Sequence, residues 1–344
     1  MKAVVFHQHG GPEVLKYQEV PSPTTAPGKV LVQVKAAALN RLDLFVREGW
    51  PGLKLQLPHI PGADASGVVL QVGDGVDQVA PGDRVAINPT ISCDRCAYCL
   101  RGKHNLCVQH SILGEFEPGT YAEQIVVPAA NVVQLPHHVT HAEAAAFSLV
   151  GITAWQMLIT RGRVQPGEDV LIVGAGGGVN SAAIQIAKLA GARVFVVGSN
   201  AAKLSAAEAL GADVLIDREK EDWPKAVFRL TGKRGVDVVV DNVGQASWMG
   251  SIRALRPGGR LLVVGTTSGP HFDLDIRYIF AKQMAILGST MGSRSDYATV
   301  IQMLFDGRLR AVIGAQLPLS EGRQAQELLA GGTVYGKIVL GVDS

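Results

Sequence analysis

Four cysteines, Cys93, Cys96, Cys99 and Cys107, are the only ones in a chain of 344 residues, and they crowd into one short window. Gaps of two, two and seven residues put four soft thiolates in a single loop, the ligand set of a closed tetrahedral zinc site. Such a site has no vacant coordination position, so it holds a loop together and activates neither water nor substrate. Arg95, Arg101, Lys103 and His104 lie in or beside the loop and offset the negative charge that four thiolates leave on a zinc. Iron–sulfur ligation fits less well, because the bacterial pattern closes with a three-residue gap where this chain has seven. A nucleic-acid-reading finger needs a recognition helix after the last cysteine, and none is signalled.

A second constellation follows the apolar run Asp169 to Val173. Gly174, Ala175, Gly176, Gly177, Gly178, Val179 and Asn180 lead into the amphipathic stretch Ser181 to Leu189. Strand, glycine turn and helix opening form a dinucleotide site, since glycines let backbone amides approach a pyrophosphate at the positive end of a helix. The best register of the fingerprint puts Ala175, Gly177 and Asn180 at its three glycine positions. The first and third glycines are therefore replaced, which leaves open how closely the helix approaches the strand. About 20 residues on, an NAD site carries an acid for the ribose 2′-hydroxyl. Here the chain has Ser199, Asn200 and Lys203 and no acid. Donors and a positive charge suit the 2′-phosphate of NADP(H), with NAD(H) as second candidate; alternatively Lys203 is an ordinary solvated helix residue.

The elements that must position these groups differ between the two parts of the chain. Up to about Val150, short β-rich runs (Lys2 to Phe6, Lys29 to Ala37, Gly67 to Val72, Asp83 to Ile87, Ala122 to Val127) are punctuated by Pro-Gly and Gly-Asp-Gly turns, predicting an irregular, mostly antiparallel β domain. After Pro166-Gly167 the strands Val170 to Val173, Arg193 to Val197, Val214 to Ile216, Val236 to Val240 and Arg260 to Val264 alternate with helical stretches. That rhythm predicts a doubly wound parallel sheet and an α/β fold. Leu189-Ala190-Gly191-Ala192 and Ala209-Leu210-Gly211-Ala212 echo each other, each closing a helix with a glycine cap. After about Gly288 the chain reads as helical and then ends in a strand, Gly336 to Leu340, expected to return to the first domain.

Composition narrows the class. Apolar residues make up 47% of the chain and charged residues only 18%, as strands buried on both faces require. A net charge of +2 without basic runs argues against nucleic acid. No segment approaches eighteen uninterrupted apolar residues, so no membrane partner is expected, and the chain reads as cytoplasmic. The histidines form no metal-spaced pair, and His137, His138 and His141 read as surface residues around a helix start.

Together with the cysteine loop and the glycine turn, the segments Gly11-Pro12-Glu13-Val14-Leu15, Ala37 to Asp43 and Pro61 to Gly67 give a chain that resembles the medium-chain dehydrogenase/reductase superfamily, the zinc alcohol dehydrogenases and quinone oxidoreductases, essentially end to end. The resemblance implies a GroES-like catalytic domain (1–150, zinc lobe about 90–110), an inserted Rossmann domain (151–287) and a C-terminal return (288–344). It further implies a homo-oligomer, dimer or tetramer, acting on a small-molecule substrate.

Position by position, the zinc branch carries a catalytic metal on a cysteine where this chain has Asn40, a histidine where it has Ala63 and a cysteine where it has Leu149, beside an acid matched by Asp64. Its proton relay falls on Leu42 and Phe45. The resemblance thus turns towards the zinc-free quinone and enoyl reductase branch, although the cysteine lobe is typical of the zinc enzymes. Reduction of an activated double bond needs only one or two hydrogen bonds on the oxygen that gains charge. The Asn40 amide is the leading donor, with Asp43 orienting it; alternatively Asn40 is a turn residue and Asp43 a local cap.

By resemblance Thr153, Arg41 and Gly265-Thr266 contact the cofactor, and Leu42, Phe45, Ile91 and Leu149 make the substrate pocket apolar. Trp50 either lines that pocket or is plain packing. His59, Asp43 and Asp64 are the set from which a catalytic metal site would have to be rebuilt. The expected activity is NADP(H)-dependent reduction of quinones or α,β-unsaturated carbonyls. The alternatives are an NAD(P)-dependent alcohol dehydrogenase with an atypical metal site and a nucleotide-binding protein without turnover.

Overall fold

The computed structural model describes residues 1–342. The chain divides into two compact units, Met1–Ile152 with Gly292–Ser344, and Thr153–Met291.

The second unit is built on a six-stranded parallel sheet. Its strands, Asp169–Val173, Arg193–Gly198, Val214–Asp217, Val236–Asp241, Leu255–Val263 and Ala285–Gly288, stand in the order 3-2-1-4-5-6 counted along the chain. This is the strand order of a dinucleotide-binding sheet, which reverses direction beside its first strand. All five residues of that strand are buried, because helices cover both faces. The echo around Gly191 and Gly211 is a repeated helix stop. Gly191 (φ 79°) and Gly211 (φ 103°) adopt left-handed conformations, and Ala192 N bonds Ala187 O at 3.0 Å as Ala212 N bonds Ala207 O at 3.1 Å. Each closes the six-residue ring of a Schellman cap and turns the chain into its next strand.

In the first unit a seven-stranded sheet has Lys29–Ala38 as its central strand. Asp64–Val72 pairs along one edge of it, while Gln124–Pro128 and Lys337–Gly341 share the other. Arg84–Ile87 and Val132–Gln134 extend the sheet beyond Asp64–Val72. Alternation along Lys29–Ala38 sends Val30, Val32 and Val34 into a core with Phe6, Leu39 and Tyr121. The C-terminal strand Lys337–Gly341 pairs antiparallel with Lys29–Ala38 and parallel with Ile313–Pro318, a strand that the sequence pattern does not announce. The helix His141–Trp155 continues in wider turns over Gln156–Arg161; although apolar enough to cross a membrane by length, 72% of its most apolar window is buried within the protein.

Candidate active site

Three strand ends bring one polar cluster together. Ala38 closes the central strand and lies in register with both Asp64 and Val339, so Asn40, Asp64 and Lys337 converge although far apart in sequence. Asn40 stands just before the helix Arg41–Glu48. Its backbone N–H donates to Asp43 Oδ2 at 2.8 Å, and Asp43 N donates back to Asn40 O at 3.0 Å. Asp43 therefore caps the helix, and the Asn40 side chain turns inward. There Asn40 Nδ2 donates to Asp64 Oδ2 at 2.9 Å, and Asn40 Oδ1 accepts from Lys337 Nζ at 2.6 Å. Lys337 Nζ also donates to Asp64 Oδ2 at 2.9 Å, and Leu149 N donates to Asp64 Oδ1 at 2.7 Å. Asn40 is 7% exposed, Lys337 4% and Asp64 0%.

A lysine ammonium can only donate, which fixes the amide with its oxygen towards Lys337 and its nitrogen towards Asp64. The sequence reading singled out Asn40 and Asp43 but not Lys337. Asp43 stands as a local cap, its carboxylate accepting from the Asn40 backbone N–H, while the Asn40 amide itself is held by Asp64 and Lys337. Burial pushes the Asp43 carboxyl up to about 6, against the lowering effect of its bonds to Asn40 N and Tyr121. Tyr121 Oη donates to Asp43 Oδ2 at 2.7 Å, and Asp43 Oδ1 has no partner among the described residues. Tyr121 in turn fits only because residue 62 is glycine: φ is 103° there, and a Cβ would collide with the tyrosine ring.

A catalytic metal does not fit this donor set. Asn40 and Leu149 bring no soft ligand, Ala63 is a buried methyl, and both oxygens of Asp64 are engaged. His59 does not join Asp43 and Asp64 to rebuild a site, because its Nε2 faces Gly114 O at 3.0 Å. Among the expected pocket residues, Leu42 and Ile91 are half-buried against the core, and Leu149 is buried. Phe45 and Trp50 are exposed, with the Trp50 ring edge-on to Phe116 at 6.4 Å between centroids. Arg41 is exposed at the helix start. His141, expected at the surface, is instead tied down: its Nδ1 lies 2.8 Å from Ser66 Oγ and Arg84 Nε donates to its Nε2 at 3.4 Å. Burial and the nearby Arg84 and Lys35 push it down to about 4.

The four cysteine sulfurs lie within 4.8 Å of one another, the one group of three or more metal-binding side chains among the described residues. A zinc with Zn–S bonds of about 2.3 Å sets its sulfurs roughly 3.8 Å apart, so this cluster fits the ion. The loop is mounted on a two-stranded ribbon, Thr90–Ile91 against Ser111–Ile112. Cys93 N and Gln109 N both donate to Cys107 Sγ at 3.3 Å, and backbone N–H groups of Cys99 and Val108 lower Cys96 to about 6. Arg294 anchors the loop from outside, pairing with Asp94 at 2.8 Å and donating its N–H to His104 Nδ1 at 3.3 Å.

In the second unit the glycine turn leads from Val173 into the helix Gly178–Leu189. Gly177 adopts φ 85° with open space where a Cβ would stand, and the first helical bond is made by Ser181 N to Gly177 O. The N–H groups of Gly178, Val179 and Asn180 therefore have no partner within the helix and suit a pyrophosphate. Asn180, where the fingerprint has glycine, replaces close approach with hydrogen bonds: its Nδ2 donates to Val173 O at 3.1 Å and Gly174 O at 2.7 Å, and its Oδ1 accepts from Asn242 Nδ2 at 2.9 Å. Asp241, fully buried, holds the neighbouring loop by accepting from Val243 N, Gly244 N, Ser247 Oγ and Ser251 Oγ. Sequence reasoning singled out neither Asp241 nor Asn242.

Ser199 is half-buried at the end of its strand. Asn200 caps the next helix, its Oδ1 accepting from Lys203 N at 2.9 Å, which leaves its Nδ2 as the donor for a ligand. Arg218 N donates to Gly198 O at 3.0 Å beside this corner, and its guanidinium pairs with Glu219 at 3.2 Å. Thr153 is buried with its Oγ1 3.9 Å from Met291 Sδ, and Gly265-Thr266 follow the strand Leu255–Val263.

The alcohol dehydrogenase GroES-like domain family matches residues 26–137, and the zinc-binding dehydrogenase family matches residues 178–306. An alcohol dehydrogenase of Geobacillus stearothermophilus is 34% identical over the full length of both chains. Human quinone oxidoreductase is 29% identical over 99% of this chain and 97% of its own. A solved structure of an NAD-dependent alcohol dehydrogenase superposes with a TM-score of 0.97 over the whole of both chains, at 48% identity. The glycine turn, the parallel sheet, the cysteine lobe and these full-length relatives agree: the chain belongs to the medium-chain dehydrogenase/reductase superfamily and is an oxidoreductase.

Proposed function

We propose that this oxidoreductase reduces a quinone or an α,β-unsaturated carbonyl with NADPH and uses no catalytic metal. The observation that carries this reading is the closed set Asn40–Asp64–Lys337, in which the position of a metal ligand is an amide already held by an ammonium. A metal at a carbonyl contributes several kcal/mol of charge stabilisation, and without it, and with Leu42 and Phe45 at the relay positions, this site offers reversible alcohol oxidation neither a Lewis acid nor a proton route. An activated double bond asks less. A dihydronicotinamide held by Thr153 and Gly265-Thr266 would supply the hydride for the β-carbon, the electron pair of the double bond passing onto the conjugated oxygen and a proton coming from water. Asn40 has the donor for that oxygen: one N–H is committed to Asp64 at 2.9 Å, while the contact to Ala38 O is long, at 3.4 Å.

Leu42, Phe45, Trp50, Ile91 and Leu149 serve in this reading as apolar walls. Thr153, Arg41, Gly265 and Thr266 bind the cofactor, and Ser199, Asn200 and Lys203 receive its 2′-phosphate. The cysteines hold one zinc that acts on structure alone. A second reading, NAD(H)-dependent alcohol oxidation, is favoured by the name of the 48% identical relative. Initial rates with NADPH and NADH across quinones, enones and alcohols separate the two. Turnover of enones or quinones, faster with NADPH, supports the first; turnover of alcohols alone supports the second; cofactor binding with no turnover refutes both.

A further inference from the structure

We propose that Lys337 is a positioning residue for the reaction: it supplies the site's fixed positive charge and acts through the Asn40 amide on the substrate oxygen. This inference rests on the reading of Asn40 as that oxygen's donor. Lys337 opens the C-terminal strand, where its N–H donates to Val312 O at 2.7 Å. Gly336 before it has φ 85°, a conformation open to glycine, and a side chain there would strike the Val312 backbone. The lysine is thus set rigidly and buried. A buried ammonium is costly unless paired, and the partners it finds are Asp64 and Asn40.

The three members are not equivalent. Asp64 accepts three donors, from Leu149 N, Asn40 Nδ2 and Lys337 Nζ. The bond from Lys337 to Asn40 Oδ1 is the shortest of the set at 2.6 Å. An amide whose oxygen accepts from a cation becomes a stronger donor at nitrogen, because the two hydrogen bonds polarise one another. The same bond forbids the flipped amide, which would aim an acceptor at Asp64. Lys337 therefore determines both the direction and the strength of the Asn40 N–H groups. No metal is needed to place positive charge here, and no covalent step passes through the lysine.

Two variants test this, Lys337→Ala and the charge-free pair Lys337→Met/Asp64→Asn, which remains testable should the single variant fail to fold. For each, kcat, KM and the dissociation constant of NADPH are measured with the best substrate of the wild-type enzyme, with and without ethylammonium. The expected result is a fall in kcat of about 100-fold in both variants, as for loss of one oxyanion donor, with NADPH binding within about twofold of wild type. Ethylammonium raises kcat of Lys337→Ala at least about tenfold and leaves the pair variant unchanged, since the latter fills the ammonium's place with a methionine. A folded pair variant with wild-type kcat overturns the inference, and so does a folded Lys337→Ala that ethylammonium does not help. Failure of the proposed function shows separately, in the wild-type enzyme, as absence of enone and quinone turnover.

Discussion

Lys337 Nζ donates to Asp64 Oδ2 at 2.9 Å while 4% and 0% of the two residues are exposed, so a full ion pair lies inside the first unit. Removing one partner of such a pair leaves the other charge buried and uncompensated, at about 3–5 kcal/mol. Lys337→Met is expected to lose stability on that scale in urea unfolding. Adding Asp64→Asn to it should restore more than half of the loss, because no net charge then remains. A double variant as unstable as the single would show that burial of charge is not what the pair offsets.

Asp43 makes stability depend on pH in an unusual direction. Its carboxyl, pushed up to about 6 chiefly by burial, is protonated in the native state and ionised in the unfolded chain between pH 3.8 and 6. Ionisation therefore weighs against the native state above pH 6, and the burden lifts as pH falls towards 4. Asp43→Asn keeps an acceptor for Asn40 N and Tyr121 Oη. It should stabilise the protein at pH 7 by on the order of 3 kcal/mol and have little effect at pH 4. His141, held down at about 4, works the other way: it loses stability as pH falls from 6.5 to 4. It is common to both proteins and cancels in the difference. A gain from Asp43→Asn that is equal at both pH values would contradict the assignment.

Cofactor choice is tested at the end of the second Rossmann strand. Ser199→Asp places a carboxylate where it accepts from a ribose 2′-hydroxyl and repels a 2′-phosphate. The ratio of kcat/KM for NADPH over NADH should drop about tenfold or more. An unchanged ratio would move the 2′-phosphate site away from Ser199, Asn200 and Lys203.

Zinc bound by the cysteines is expected to order its own loop and little else. Chelation should raise amide hydrogen exchange over residues 93–110, on the far side of the ribbon Thr90–Ile91/Ser111–Ile112, while the strands Asp169–Val173 and Val236–Asp241 keep their protection. Exchange rising equally in those strands would give the metal a wider role.

What the sequence disclosed and what it withheld follow from sequence separation. The cysteine site is complete within one loop, and the Rossmann rhythm is written locally, in apolar strands and in glycines that end helices at Gly191 and Gly211. Lys337 stands 297 residues from Asn40 and 273 from Asp64, and strand pairing alone brings them together. Tyr121 reaches Asp43 across 78 residues for the same reason. The strand Ile313–Pro318 was hidden because glycine and proline dilute its pattern, as an edge strand tolerates. Asn180 read as a defect in the fingerprint; its side chain restores by hydrogen bonding what glycine gives by close approach.

In the proposed reaction an amide and an ammonium stand where a metal would otherwise polarise the substrate. Zinc content per chain of the purified enzyme, measured on a preparation that turns over an enone or quinone, tests it most directly. One zinc per chain is predicted, lost when Cys99 and Cys107 are replaced by serine. Two tightly bound zincs per chain in active enzyme, one of them surviving those replacements, would contradict it.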